Sequence, residues 1–348
     1  AGTTILNHVA LVFAHGLPRG RGGIVSAAGT GLQEVSTLLA RHGVGISQGI
    51  GTGGRDVKKE VGGIMMLEAL KALQEDEGTS VLVLISKPPA EEVVRLILDQ
   101  VSASVKPAVI CFLGGEASAL EKIPNVIPAR TLYECALLAG RLIPEEIGGV
   151  NAFLEVENSR FAKQAQSLKA KLNARQYYLR GLFSGGTLCY EAQVIWKEML
   201  DVPVHSNAPL PGGPALPDST KSHQHTVVDL GEEEFTVGRP HPMIDNDLRI
   251  RRLLQEARDP EVAVILFDVV IGYGAHPDPA SELGKAVEEA QKLARSEGRE
   301  LIFVASVTGT EQDPQCLSRT VSTLERAGVI VCDSNSAAAR LTASLVSG

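Results

Sequence analysis

Gly23-Ile24-Val25-Ser26-Ala27-Ala28-Gly29-Thr30-Gly31-Leu32-Gln33-Glu34 is the stretch on which the fold turns. A short buried-type run ends in a glycine turn, and apolar residues then recur at Leu32, Val35, Leu38 and Leu39, the spacing of one helix face. A strand feeding a glycine turn feeding a helix is the grammar of an α/β fold. The same grammar returns at Leu179 to Phe183, Ser184-Gly185-Gly186-Thr187 and Leu188 onward.

Outward from the first turn, strands are expected at 46–50, 81–85 and 107–112 and helices at 32–42, 61–73, 90–101 and 131–142. Val81-Leu82-Val83-Leu84-Ile85 is apolar throughout, as a parallel strand covered on both faces requires. From the second turn, helices are expected at 188–200, 247–257, 280–296, 315–327 and 337–346, with strands at 179–183, 262–270, 301–307 and 329–332. The alternation predicts an α/β chain of two flavodoxin-like three-layer domains with parallel sheets, at 1–150 and 179–348. Duplication is favoured over chance alignment of turn residues. Between them, 151–178 carries Leu154, Phe161, Ala165 and Leu168 on one stripe and is expected to be a helical linker. The loop 203–217 holds five prolines and is expected to be a mobile surface loop.

Composition narrows the function classes. The 348 residues are 44% hydrophobic and 21% charged, a globular composition. The 41 acidic and 33 basic residues leave −8, which argues against nucleic acid as a partner. No apolar run reaches the roughly 20 residues of a membrane span, so no membrane partner is expected. The five cysteines are scattered without a CxxC pair, which points to a reducing cytoplasm and away from zinc fingers or disulfides. The chain opens Ala1-Gly2-Thr3 without a leader pattern and without Met, as a piece of a longer protein would.

The two glycine turns are the leading chemical signal. Unpaired N–H groups at a helix start favour an anion, and glycine lets it approach. Gly29, Thr30 and Gly31, with Gly53 and Gly54, and Ser184, Gly185, Gly186 and Thr187 in the second half are therefore candidate phosphate or anion ligands. Plain helix capping is the competing reading of either turn alone; two turns facing each other would share one anion. A dinucleotide fingerprint is disfavoured because Glu34 stands where the third glycine belongs, and no P-loop is present. Arg55, Arg239 and His241 are the candidate catalytic residues, the arginines for a carboxylate and the histidine for proton transfer. Lys87, Asp245, Asp268, Gly272 and Thr308 are candidate substrate-loop residues at strand ends. His223, His225 and His241 match no standard zinc spacing, so no metal is expected.

At Ser26–Glu34, Ile50–Asp56, Ile85–Pro89, Gly181–Leu188, Gly238–Asp245 and Thr308–Gln315 the chain resembles the succinyl-CoA synthetase (NDP-forming acyl-CoA synthetase) superfamily, and within it the FdrA-type proteins. The resemblance spans nearly the whole chain and implies two flavodoxin-like ligase domains around a shared phosphate site. It also implies an N-terminal CoA-binding domain, which is expected to be missing here, so that CoA enters only with a separate CoA-binding domain. The family's Gly-His-Ala-Gly relay motif is read against Gly114-Gly115-Glu116-Ala117-Ser118, which has no histidine. FdrA-type proteins are tied to allantoin breakdown, where they resemble parts of an oxamate carbamoyltransferase that phosphorolyses oxalurate. The resemblance thus implies a subunit handling an acyl- or carbamoyl-phosphate, with phosphate bound, a small carboxylate substrate, and other subunits in an oligomeric, multi-chain assembly. The alternatives are a divergent acyl-CoA synthetase and a non-catalytic scaffold.

Overall fold

A computed structural model describes residues 3–115, 120–143 and 164–347. The chain forms two compact units. The first is Ala1–Val150 with Gly272–Gly274 and Gly309–Asp313, and the second is the remainder.

In the first unit a hairpin of β1 (Thr3–Leu6) and β2 (Val9–Val12) precedes β3 (Arg19–Ser26), α1 (Gly29–Arg41), β4 (Ile46–Gly51), α2 (Ile64–Glu75), β5 (Val81–Ser86), α3 (Glu91–Ser102), β6 (Ala108–Phe112), β7 (Val126–Pro128) and α4 (Leu132–Leu142). The sheet order is β2-β1-β4-β3-β5-β6-β7. Neighbours among β3 to β7 pair in parallel, and only the hairpin runs antiparallel. The parallel core has the 2-1-3-4-5 order of flavodoxin-like folds, with its switch point between β3 and β5. On one face Val25, Leu82, Leu84 and Ile110 meet Leu70 and Leu73 of α2 and Val93 and Ile97 of α3. All six residues of β5 are buried, as its unbroken apolar run requires.

The second unit runs β8 (Tyr178–Phe183), α5 (Gly186–Met199), β9 (His205–Ser206), β10 (Thr226–Asp229), α6 (Glu233–Thr236), α7 (Asp247–Ala257), β11 (Val262–Val270), α8 (Pro279–Ser296), β12 (Ile302–Thr308), α9 (Leu317–Arg326), β13 (Ile330–Cys332) and α10 (Asn335–Val346). Its order is β13-β12-β11-β8-β10-β9. With the two-residue β9 set aside, this is again 2-1-3-4-5, with the switch point between β8 and β11. The α/β reading with two parallel, flavodoxin-like sheets therefore holds.

Some details differ from expectation, among them β7 and β9, where no strand was expected. The β1–β2 hairpin extends the first sheet, where no strand was expected. Thr226–Asp229, read as part of an insertion, is a fully buried central-side strand; four residues are too few to show a period. Of the expected linker helix, 151–163 lies outside the described residues and 164–169 is helical. The proline-rich loop, expected to be mobile, is pinned. Ser206 N–H donates to Pro214 O at 3.1 Å and Leu216 N–H to Ser206 O at 2.9 Å. Gln193 Nε2 from α5 donates to Ala208 O at 3.1 Å. No described helix is long and apolar enough to cross a membrane.

Candidate functional site

Ligands of open α/β sheets lie at the carboxyl ends of the strands, beside the switch point. In the first unit that edge holds the turn between β3 and α1. Ser26, 1% exposed, tightens it. Its hydroxyl donates to Ala28 O at 2.7 Å and accepts Ala28 N–H at 3.0 Å. Ala27 N–H donates to Ile85 O at 3.0 Å. The N-cap of α1 is Ala28, which brings no side-chain acceptor to the first helical N–H groups. Gly29, Thr30 and Gly31 are those first residues. A Cβ built on Gly29 would meet no described residue within 4 Å.

The loop after β4 lies beside this turn. Thr52 N–H donates to Ser26 O at 2.8 Å, and a Cβ on Gly54 would stand 3.6 Å from Ala27 O. Gly53 takes φ +86°, a left-handed conformation that disfavours side chains. The structure thus sets the loop of Gly53 and Gly54 beside Ser26 and Ala27, at the entrance to the β3–α1 turn. Arg55 is exposed on the same loop, while its neighbour Asp56 turns inward and caps α2, accepting Met65 N–H at 2.9 Å and Met66 N–H at 2.7 Å. Lys87 follows β5 and is half-buried.

The same unit holds a buried histidine–carboxylate pair that the sequence reading did not single out. His15 Nδ1 lies 2.9 Å from Asp313 Oδ2, with both side chains fully buried. Gly16 N–H donates to Asp313 Oδ1 at 2.8 Å and Thr310 N–H to Oδ2 at 2.7 Å. Burial pushes the Asp313 carboxyl up. The His15 hydrogen bond and charge, with the two N–H groups, outweigh it and hold the carboxyl below its ordinary value. Gly272 closes over this pair. Its φ is +116°, and a Cβ there would lie 2.5 Å from Ala14 O and 2.9 Å from His15 Nδ1. Gly272 is therefore a packing glycine.

In the second unit the turn between β8 and α5 is built differently. Asp268 of β11, 0% exposed, sits in it. Its carboxylate accepts Ser184 N–H at 2.7 Å, the Ser184 hydroxyl at 3.0 Å and Gly185 N–H at 2.9 Å. Ser184 and Gly185 were expected as anion ligands; their donors are spent on this internal carboxylate, and Asp268 is a buried structural partner in place of a substrate-loop residue. Arg249 of α7 holds the carboxylate from the other side, with Nη2 at 3.1 Å from Oδ1 and a further contact to Asp268 O. Burial pushes the Arg249 guanidinium down and Asp268 pulls it back. Gly186 and Thr187 remain as the first helical residues of α5, behind an N-cap, Gly185, with no side chain.

His241 stands next to this pair. Burial pushes its imidazole down and Arg249 adds to that, against the pull of Asp268, so the ring is neutral near pH 7. Nδ1 accepts Met243 N–H at 3.2 Å, which assigns the ring proton to Nε2. A Cβ built on Gly231 would be 2.9 Å from that Nε2, 2.8 Å from Ser184 O and 3.2 Å from Asp229 Oδ1, so these atoms converge on one spot. A neutral histidine in this tautomer donates a hydrogen bond through Nε2.

The other expected residues have different surroundings. Arg239 is exposed. Asp245 is exposed and accepts Asp247 N–H at 2.8 Å at the start of α7. Thr308 is buried at the end of β12, where its carbonyl accepts Ile271 N–H at 3.0 Å. The rings of His205 and His223 pack edge to face at 4.8 Å. Among the described residues no group of three or more His, Cys, Asp or Glu is arranged to hold a metal ion.

Arg249 and Asp229 were missed. Arg249 had a legible signal, because Arg249, Arg252 and Glu256 recur at helical spacing with Leu253 on what becomes the buried face of α7. Arg252 and Glu256 pair at 2.5 Å, and Glu256 also takes Arg180 of β8 at 2.7 Å. Charged residues on a core-facing stripe mark an internal ion network.

Comparison with known proteins follows the division into units. Residues 21–114 match the CoA-binding domain family and residues 182–345 the CoA-ligase family. The expectation that a CoA-binding domain is missing is thereby corrected: the match falls on the first unit itself. The chain is 43% identical over 335 residues to the uncharacterized protein YahF of Escherichia coli K12, covering 96% of this chain. It spans 64% of the length of that relative. Among solved structures, the apo form of the dinucleotide-forming acetyl-coenzyme A synthetase 1 of Ca. Korarchaeum cryptofilum gives a TM-score of 0.37 at 15% identity, covering 96% of this chain and 65% of that one. PH0766 of Pyrococcus horikoshii OT3 gives 0.35 at 13%, covering 99% and 68%. The two domain families and the YahF relationship together support placing the chain in the succinyl-CoA synthetase-like superfamily.

Proposed function

We propose that the chain is an acyl-CoA synthetase-like subunit that handles an acyl-phosphate. The observation that carries this reading is the pairing of a CoA-binding match on one 2-1-3-4-5 unit with a CoA-ligase match on another. Gly29, the left-handed Gly53 and an N-cap of α1, Ala28, without a side-chain acceptor fit a phosphate-bearing ligand in the first unit. CoA, when bound, supplies the thiol that receives an acyl group. The amides of Gly29, Thr30 and Gly31 cradle an anion and stabilise charge that develops on it. Gly186 and Thr187 hold the corresponding place in the second unit, behind a turn whose Ser184 and Gly185 donors go to Asp268. Arg55 or Arg239, each exposed on a loop of its own unit, orients a carboxylate. His241 donates through Nε2. Calorimetric titration of the chain with CoA, and then with phosphate, tests the reading. Binding of neither ligand overturns it, and loss of CoA binding on Gly29→Val supports it.

A finer reading makes the chain a subunit of an oxamate carbamoyltransferase in allantoin catabolism, acting with other chains in an oligomeric assembly in the cytoplasm. The absence of histidine in Gly114–Ser118 favours it, because phosphorolysis of oxalurate to carbamoyl phosphate and oxamate requires bound phosphate and no phosphohistidine. Carbamoyl phosphate formed from oxalurate by the complete assembly supports this reading; CoA-dependent turnover of an acyl-phosphate in its place favours the divergent ligase. Activity unchanged by both Thr30→Val and Thr187→Val points to a scaffold.

A further inference from the structure

We propose that the second unit carries a binding site for an α-amino acid with an apolar side chain, in the cavity between the end of α5 and the proline-rich loop. The cavity measures about 360 Å³, within the roughly 300–1,000 Å³ of small-ligand sites. Val202, Pro203, Leu210 and Pro214 give it an apolar wall, and two side chains of opposite charge, Lys197 and Asp201, also line it. Val202 stays 48% exposed, so the wall offers apolar surface that the fold leaves uncovered.

The wall is held in place by the fold itself. Gly213 N–H donates to Leu210 O at 2.8 Å, and Ser206 N–H to Pro214 O at 3.1 Å. Gln193 Nε2 ties the same loop to α5 through Ala208 O at 3.1 Å. A site formed in advance loses little affinity to the ordering of its parts.

The charges fix the chemistry of the occupant. Lys197 and Asp201 are four residues apart, and neither side chain makes an ion pair or hydrogen bond with a described residue. Arg251 and Asp247 of α7, also four apart, close to 2.5 Å. Order explains the difference: a carboxylate N-terminal to its cation suits the helix dipole, and Lys197 before Asp201 is the reverse. Asp201 also follows the C-cap, Leu200, where the negative pole of α5 opposes a carboxylate and attracts a cation. An ammonium group seated there answers Asp201 and the pole together, a carboxylate answers Lys197, and the apolar wall takes a side chain. One small molecule that carries all three is an amino acid. The site lies at the far end of α5 from the Ser184–Gly185 turn, with about 16 Å of helix between Gly186 and Lys197, and does not depend on the acyl-phosphate reading.

The test is calorimetric titration of the full chain with L-leucine and with two analogues that each lack one charge, 4-methylpentanoate and isoamylamine, in the absence of CoA and phosphate. L-Leucine is expected to bind about tenfold or more tightly than either analogue, the worth of one hydrogen bond to a charged group. Lys197→Met and Asp201→Asn are each expected to weaken L-leucine by about the same factor. Val202→Asp, which sets a charge in the apolar wall, is expected to abolish binding. All three positions are exposed, so the variants keep the fold. No binding of L-leucine at about 10 mM overturns the proposal. So does an analogue that binds as tightly as L-leucine, an affinity that Lys197→Met or Asp201→Asn leaves unchanged, or binding that survives Val202→Asp.

Discussion

The two strand-to-helix turns occupy the same place in the same sheet order and are held by opposite means. At the first, Ala27 and Ala28 give their N–H groups to Ile85 O and the Ser26 hydroxyl, each at 3.0 Å. At the second, Ser184 and Gly185 give theirs to Asp268 at 2.7 and 2.9 Å, and a buried arginine balances the charge. Neutral acceptors finish the backbone's hydrogen bonding at the first turn and bring no charge to it. A carboxylate finishes the same bonding and neutralises the pole as well. Equal motifs are therefore not equal sites, and the difference comes from one side chain on a neighbouring strand.

The comparison breaks most visibly at Asp268. Asp268→Ala strands the Arg249 charge in the core and strips the turn of its acceptor, and is expected to cost about 3–5 kcal/mol. Urea unfolding measures this, and a loss under about 1 kcal/mol means that the pair is not the turn's keystone. The first unit's own buried carboxylate is next. Asp313→Asn removes the acceptor of three donors and should cost about 1–3 kcal/mol at neutral pH. Because the folded Asp313 carboxyl is held below its ordinary value, its stabilisation is full above the unfolded value of about 3.9 and fades as pH falls through the folded one. The stability gap between wild type and Asp313→Asn should therefore narrow below about pH 4, and a gap that widens there contradicts the assignment.

Smaller again is Ser26→Ala, which leaves Ala28 N–H without its acceptor and should cost about 1–2 kcal/mol, clearly less than Asp268→Ala. An equal loss at the two turns would erase the distinction between them. The smallest effect sharpens the functional side: Thr30→Val weakens phosphate binding about two- to fivefold, roughly the worth of one hydrogen bond, and Thr187→Val leaves it unchanged. Calorimetry on both variants reads the two numbers side by side.

Much of this architecture was legible before any coordinates. Helix 247–257 and strand 262–270 fall where the sequence puts them, because α7 has a clear period and β11 is nine buried residues in a row. The sequence reading missed the β1–β2 hairpin, β7, β9 and β10, all of two to four residues. Such segments carry no readable period, and their neighbours in the sheet make them strands. Near the first turn, the loop of Gly53 and Gly54 lies against Ser26 and Ala27, a neighbourhood set by the pairing of β4 with β3. Ser184, Gly185 and Asp268 were all singled out as functional, yet nothing in their spacing says that they bind one another, since 83 or 84 positions separate the partners.

The local rules of the chain, strand by apolar run and helix by period and turn by glycine, were enough to determine two doubly wound sheets and to mark the glycine turn of each. What only the tertiary structure decided is which turn receives a buried carboxylate. Strand β11 lies beside β8 in register, so Asp268 arrives at the Ser184–Gly185 turn, and α7 brings Arg249 to meet it. A hydrogen bond forms between groups that are close in space, and closeness across a parallel sheet follows from the pairing of distant strands, which local sequence does not encode.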